Sequence, residues 1–156
     1  DFTSFGCRGG NMRTALGYVK RVQLMNETSF PYEQETDRAQ CFKLFAENKT
    51  VSKIAGHKTV NRTESALRGA LTMGPVSVAV EADKDPFVFY SSGILNTKDC
   101  GTILNHGVLA VGFGTEDGTN YVLVKNSWGT SWGMKGYIKL ASGTNTCGIL
   151  EENQIA

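Results

Sequence analysis

Asn105-His106-Gly107-Val108-Leu109-Ala110-Val111-Gly112-Phe113-Gly114 and Tyr121-Val122-Leu123-Val124-Lys125-Asn126-Ser127-Trp128-Gly129 are two apolar runs joined by the polar segment Thr115-Glu116-Asp117-Gly118-Thr119-Asn120. β-Rich runs on either side of an Asp-Gly pair predict a β-hairpin. Residues equally far from the turn face each other across antiparallel strands, so His106 and Asn126 are expected at the same open end, within a couple of residues of register. The carboxamide can accept from one ring nitrogen and fix the tautomer, leaving the other nitrogen to face a nucleophile or substrate. Trp128, two residues past Asn126, is placed to cover that bond.

The chain has 156 residues, 40% hydrophobic and 20% charged, an ordinary globular composition that suits one domain or two small halves. Sixteen basic against fifteen acidic residues give a net charge of +1 with no block of like charge, so neither nucleic acid nor an anionic membrane surface is indicated as a partner. No apolar run approaches the length of a membrane span, and residues 1 to 7 lack the basic and apolar regions of a signal peptide.

Cys7, Cys41, Cys100 and Cys147 are widely spaced, with no C-x-x-C pair to suggest zinc or a redox motif. Disulfides are the better fit. Three sequons, at Asn26, Asn48 and Asn61, agree with the secretory pathway and an oxidising compartment. No metal or cofactor is expected.

Gly9 and Gly10 form a side-chain-poor turn, where the missing Cβ suits either close approach of another backbone or a helix entry with positive φ. Met12, Ala15, Leu16 and Val19 then predict an amphipathic helix from about Asn11 to about Arg21. Residues 22 to 60 are polar and irregular, with a β-like stretch at Thr50-Val51-Ser52-Lys53-Ile54 and with His57 read as an exposed loop residue. Asn61 and Glu64 resemble a capping box ahead of a short helix with Ala66, Leu67, Ala70 and Leu71 on its apolar face, ending at Gly74-Pro75. Pro75 to Val80 alternates as a strand, Phe87, Phe89 and Tyr90 read as core packing, and Tyr137 to Leu140 predicts another strand.

Four segments in order, Gly6-Cys7-Arg8-Gly9-Gly10, Gly74-Pro75-Val76-Ser77-Val78, Asn105-His106-Gly107-Val108 and Lys125-Asn126-Ser127-Trp128-Gly129-Thr130-Ser131-Trp132-Gly133, resemble the papain-type cysteine proteases of the cathepsin L kind. The resemblance implies an α+β, two-lobed fold: residues 1–55 as the remainder of a helical lobe, and 56–156 as a near-complete, antiparallel β-barrel-like lobe carrying the histidine and asparagine. It implies His106 as base and acid, Asn126 orienting it, Trp128 shielding their contact, and Trp132 near the leaving-group side of the cleft. Gly10, with Gly9 beside it, would pair with an extended substrate, and the Asn105 carbonyl would accept from it. Met12, Ala79, Asn105 and Glu152 would line the main selectivity pocket, where a carboxylate could pair with Arg as well as tolerate Leu or Phe. Cys100 and Cys147 would form a disulfide.

The catalytic cysteine of that family, in a C-G-[SA]-C-[WY] context, is absent, as is the upstream glutamine of the oxyanion hole. The resemblance therefore implies the larger, C-terminal piece of a cysteine endopeptidase whose nucleophile comes from another segment, with Cys7 and Cys41 bonded to that segment. Peptide substrates and an inhibitory pro-segment are the other implied partners, in a lysosomal, vacuolar or extracellular setting. A protease-like protein without activity, binding peptides or playing a structural part, is the alternative; a serine nucleophile is a weaker one. A Cys7–Cys41 bond also remains open. With its helix stripe unpartnered, the 156-residue chain alone is expected to be unstable or to aggregate. A thermal scan of the chain without any second polypeptide checks this, and a cooperative transition would count against it.

Overall fold

A computed structural model of the chain describes residues 4–5, 8–22, 24–33, 43 and 50–156. The described residues fall into two compact units, one within Asp1–His57 together with Ala156, the other Lys58–Ile155. Cys7, Cys41 and Asn48 lie outside the described residues.

In the first unit, α1 (Met12–Arg21) begins at Asn11, whose Oδ1 accepts from the Arg13 N–H at 2.9 Å. Lys20 and Arg21 occupy its last turn, where cations favour the helix dipole. Of the apolar stripe, Val19 is buried, Met12 and Leu16 are half-buried and Ala15 is exposed. Gly9 has φ +95° with nothing within 4 Å of where a Cβ would stand, whereas a Cβ on Gly10 would come 2.7 Å from Ser4 Oγ. The two glycines thus answer different needs, one a left-handed turn and the other a close approach. Strands β1 (Leu24–Met25) and β2 (Thr50–Ser52) pair antiparallel. His57 is not an exposed loop side chain: it is half-buried, a Cβ at Gly17 of α1 would lie 3.7 Å from its Cε1, and its buried Nδ1 meets no partner among the described residues. The ring lies beside α1 at Gly17, a contact that the sequence around His57 does not reveal.

The second unit is a seven-stranded sheet in the order β3-β9-β4-β6-β7-β8-β5, from β3 (Lys58–Thr59), β4 (Val76–Val80), β5 (Ile94–Leu95), β6 (His106–Glu116), β7 (Thr119–Lys125), β8 (Tyr137–Ala141) and β9 (Asn153–Ile155). Every pairing is antiparallel except β5 with β8. One face carries Val76, Val78, Val80, Val108, Ala110, Val122, Val124, Ile138 and Leu140, all buried in a common core. Helix α2 (Glu64–Leu71) adds Leu67 and Ala70 to it. Its N-cap is Thr63, not Asn61: the Thr63 hydroxyl accepts from the Ala66 N–H at 3.2 Å, while Asn61, two residues earlier, accepts from the Thr63 N–H through its carbonyl. The one-turn helix α3 (Asp85–Val88) carries Phe87 into the core, but Phe89 is 76% exposed, because a single turn can bury only one of its sides. β9 is a strand its polar sequence does not announce. Ser77 and Val78 of β4 pair with it, and Gln154 is satisfied by Thr59, so neighbouring strands supply what composition does not.

The β6–β7 hairpin turns on Asp117 and Gly118, both left-handed at φ 49° and 76°, as a two-residue turn between twisted strands requires. Pairing runs in step from Glu116↔Thr119 to Gly112↔Leu123, then shifts to Ala110↔Val124 and Leu109↔Lys125, leaving Val111 as an extra residue. The shift decides which side chains share a face. Unbroken register would set Asn126 opposite Leu109, on the face away from His106; with the bulge it stands opposite Val108, on the same face as His106. The bulge also keeps Val108 and Ala110 in the core with Val122 and Val124. Because Ala110↔Val124 follows Gly112↔Leu123 directly on β7, deleting Val111 is expected to leave Val108 and Ala110 facing the core and to cost no more than ~2 kcal/mol, the bulge's local bend and twist being what is lost. Val111→Ala, which keeps the bulge, is expected to cost about 1.5 kcal/mol or less. Urea denaturation of both variants checks the two costs.

Candidate active site

His106 is the first residue of β6, its backbone opposite Val80 of β4. Asn126 is the first residue past β7, where its N–H still reaches Gly136 O at 2.9 Å, so both ends of the hairpin are anchored to neighbouring backbone. The ring and the carboxamide meet: His106 Nε2 and Asn126 Oδ1 are 2.8 Å apart. The same Oδ1 accepts from the Ser127 N–H at 2.8 Å. A backbone N–H can only donate, so the amide must present oxygen there, and His106 Nε2 must then carry the proton. The neutral ring is left with Nδ1 as its basic nitrogen. Asn126 is 7% exposed, and its Nδ2 is buried without a partner among the described residues. The amide therefore serves as an oxygen acceptor, and solvent does not compete for it.

An aromatic box surrounds this pair. Trp128 lies against the His106 ring with centroids 5.1 Å apart and planes tilted by 33°. Phe87, fully buried, turns its edge to Trp128 at 5.5 Å and to His106 at 6.5 Å. Trp132 packs on Phe87, Trp128 and Tyr90 and donates its Nε1–H to Val88 O at 3.0 Å. Burial pushes the Tyr90 hydroxyl above its ordinary range, so it stays neutral and donates to Gly93 O at 2.6 Å. Gly133 lets this packing close: a Cβ there would stand 2.7 Å from Tyr137 O and 3.0 Å from the Tyr90 ring. Trp128 is itself 39% exposed, a partial cover with one wet side.

One strand away, the main-chain N–H of Asn105 donates to Val80 O at 3.0 Å, and its Oδ1 accepts from Ala82 N–H at 2.9 Å. Ala79, opposite Gly107, donates its N–H to Glu152 O at 3.0 Å. Ala79, Asn105 and Glu152 are thus brought together at the ends of β4, β6 and β9. Glu151 is engaged elsewhere, accepting from Arg62 Nη1 at 3.3 Å and Asn145 Nδ2 at 2.8 Å. Glu152 is half-buried. Gly9, Gly10 and Met12 belong to the other unit. Cys100 and Cys147 form a disulfide, with 47 residues of separation; closing a loop of that size removes denatured-chain entropy equivalent to about 4 kcal/mol. Asn26 is exposed with its Oδ1 accepting from Ser29 N–H at 2.7 Å, and Asn61 is exposed ahead of α2. Among the described residues no helix is long and apolar enough to cross a membrane, and no cluster of His, Cys, Asp or Glu could hold a metal ion.

Three features escaped the sequence reading. The bulge at Val111 had a signal available: with a two-residue turn, positions 106 and 126 fall on opposite faces unless one residue is added. Phe87 reads as core, which it is, and only the fold shows that its edge also supports the histidine. Glu81, 2% exposed, directly follows the mostly apolar strand β4, and nothing local tells a buried carboxylate there from an exposed one.

A family model described as papain family cysteine protease matches residues 1–156. The chain is 46% identical over 156 residues to "Digestive cysteine proteinase 3" of Homarus americanus, across 97% of this chain and 47% of that protein. Among solved structures it is similar to the Carica candamarcensis cysteine protease CMS1MS2 in complex with E-64, at 35% identity and a TM-score of 0.84 over 97% of this chain and 70% of that one. It is also similar to digestive procathepsin L 3 of the Tenebrio molitor larval midgut, at 36% identity and a TM-score of 0.87 over 96% of this chain and 49% of that one. The chain spans about half the length of the curated relatives it matches. With a match along its whole length and an α+β, papain-like fold in which antiparallel pairing dominates, the chain belongs to the papain family of cysteine proteases.

Proposed function

We propose that this chain supplies the histidine and asparagine of a cysteine endopeptidase site whose nucleophilic thiolate comes from a Cys-bearing segment outside it. The observation that carries the reading is the bond from His106 Nε2–H to Asn126 Oδ1, with the amide oriented by the Ser127 N–H. An imidazole held in one tautomer, with Nδ1 basic, can take a thiol proton and hold it as imidazolium. The thiolate attacks the scissile carbonyl carbon, and the C–N bond breaks as Nδ1–H protonates the leaving amine. His106 then accepts a proton from water, whose oxygen attacks the thioester; the acid leaves and the thiol is regenerated. Trp128 shields the His106–Asn126 contact, and Trp132 borders the leaving-group side. The Asn105 carbonyl accepts from the extended substrate backbone.

Ala79, Asn105 and Glu152 line the selectivity pocket in this reading. The commitment of Glu151 to Arg62 and Asn145 supports assigning the pocket to Glu152, since it leaves the carboxylate of Glu151 engaged away from it. Peptides and proteins are the substrates, and a pro-segment is a further partner; one similar structure is a procathepsin. The setting is the lysosome, a vacuole or the extracellular space, in keeping with the disulfide and the sequons at Asn26, Asn48 and Asn61.

Assembly of this chain with a Cys-bearing segment is expected to give a protein that an epoxide probe labels once, on the cysteine of that segment. His106→Ala should lower kcat/KM by about 10²–10⁴-fold. Absence of labelling in the assembled protein would favour a protease-like protein without activity. Glu152→Ala should lower cleavage of P2-Arg relative to P2-Leu substrates about tenfold, as loss of one charge-assisted hydrogen bond of ~1.5 kcal/mol requires. An unchanged ratio would remove Glu152 from the pocket.

A further inference from the structure

Glu81 is the only buried charged side chain among the described residues, and the proposed chemistry does not use it. It follows β4 directly, one residue past the Val80 that pairs with His106. Its main-chain N–H donates to Cys147 O at 2.8 Å. Its carboxylate turns into the loop 100–105: Oε2 accepts from the Ile103 N–H, and Oε1 lies 3.5 Å from Lys84 Nζ. Gly101 leaves the space it fills, since a Cβ there would stand 2.2 Å from Oε2, and the glycine adopts φ +73°.

Three consecutive residues therefore hold the loop at three points. Val80 O takes the Asn105 N–H, Glu81 takes the Ile103 N–H, and Ala82 N–H reaches Asn105 Oδ1. The loop begins at the Cys100–Cys147 disulfide and ends at Asn105, with His106 next. Its outward side chains cannot anchor it: Ile103 is 78% exposed, and Thr102 is exposed. Leu104 is half-buried beside Gly148, and among the described residues the Glu81 carboxylate is the only side chain shown accepting from a backbone N–H between the disulfide and Asn105. A buried carboxylate is costly unless hydrogen-bonded and paired, which ties its retention to the N–H and the ammonium it meets.

We propose that Glu81 is a positioning residue for the peptidase site: it splints the 100–105 loop from inside, fixing the Asn105 carbonyl and the entry of His106 into β6. The functional half of this rests on the peptidase reading above; the splint itself does not. Glu81→Gln keeps an oxygen acceptor for the Ile103 N–H, whereas Glu81→Leu removes the acceptor at similar volume.

The test compares parent, Glu81→Gln and Glu81→Leu in the assembled protein. It reads amide exchange at residues 101 to 106, the His106 ring tautomer by ¹⁵N NMR, and kcat and KM per site titrated with an epoxide. In Glu81→Leu, exchange at Ile103, Asn105 and His106 should rise at least tenfold with the rest of the sheet unchanged. The Nε2–H tautomer should lose its dominance, and kcat per titrated site should fall on the order of tenfold at near-constant KM, as a small misplacement of a reacting group produces. Glu81→Gln should restore at least half of kcat and most of the protection. If loop exchange, tautomer and kcat in Glu81→Leu match the parent, the proposal is overturned. It is equally overturned if exchange rises uniformly over the sheet and only the titrated fraction drops. Should Glu81→Leu fail to fold, Glu81→Asp, which keeps the charge but withdraws it by one methylene, is read the same way. A parent that takes no label refutes the peptidase reading, while exchange and tautomer still decide the splint.

Discussion

One carboxamide oxygen, Asn126 Oδ1, receives two donors, the Nε2–H of His106 and the N–H of Ser127. The second donor gives the first its meaning. Without it the amide could turn over and present nitrogen to the ring, reversing the tautomer and the basic atom. Because the backbone N–H cannot reverse, the orientation follows from main-chain geometry at the end of β7. Burial of Asn126 removes water as a competitor, and Trp128 and Phe87 limit how far the ring can tilt.

That interaction depends in turn on a one-residue bulge. Strand pairing has a period of two, so a hairpin either places two given side chains on one face or separates them. The Asp117-Gly118 turn sets one parity and the 106/126 spacing needs the other; Val111 reconciles them. The same residue keeps the apolar face of β6 continuous with β4 on one side and β7 on the other. Folding and site geometry thus place a single demand on one position, and the core cannot form in the bulged register without also bringing the histidine to the asparagine.

Around this pair the molecule uses packing on one side and polar bonds on the other. Phe87, Tyr90, Trp128 and Trp132 interlock toward α3 and β8, with the space at Gly133 allowing the approach. Toward β4 and β9 the supports are hydrogen bonds: Val80, Glu81 and Ala82 to the 100–105 loop, and Ala79 to Glu152. Polar contacts suit that side because the segments there are loops and a strand end, whose backbone groups need partners once buried.

Much of the site was legible in the amino-acid order, and the reason is local. An Asp-Gly turn between two apolar runs determines a hairpin, and a hairpin determines that residues near its open ends meet, so His106, Asn126 and Trp128 could be grouped without coordinates. α1 and α2 were legible through helical spacing, although the choice of Thr63 over Asn61 as cap was not, since both residues offer a suitable oxygen two positions apart. What only the tertiary structure decided involves partners distant along the chain. The polar Asn153–Ile155 becomes a strand because β4 and β3 offer edges to it; Phe89 turns outward because Phe87 takes the core; His57 folds onto Gly17. Glu81 is buried because Ile103 and Lys84 meet it and Gly101 makes room. Sequence periodicity reports which face a residue prefers; whether a charge can live inside depends on donors brought from some twenty residues away, and only the folded chain assembles them.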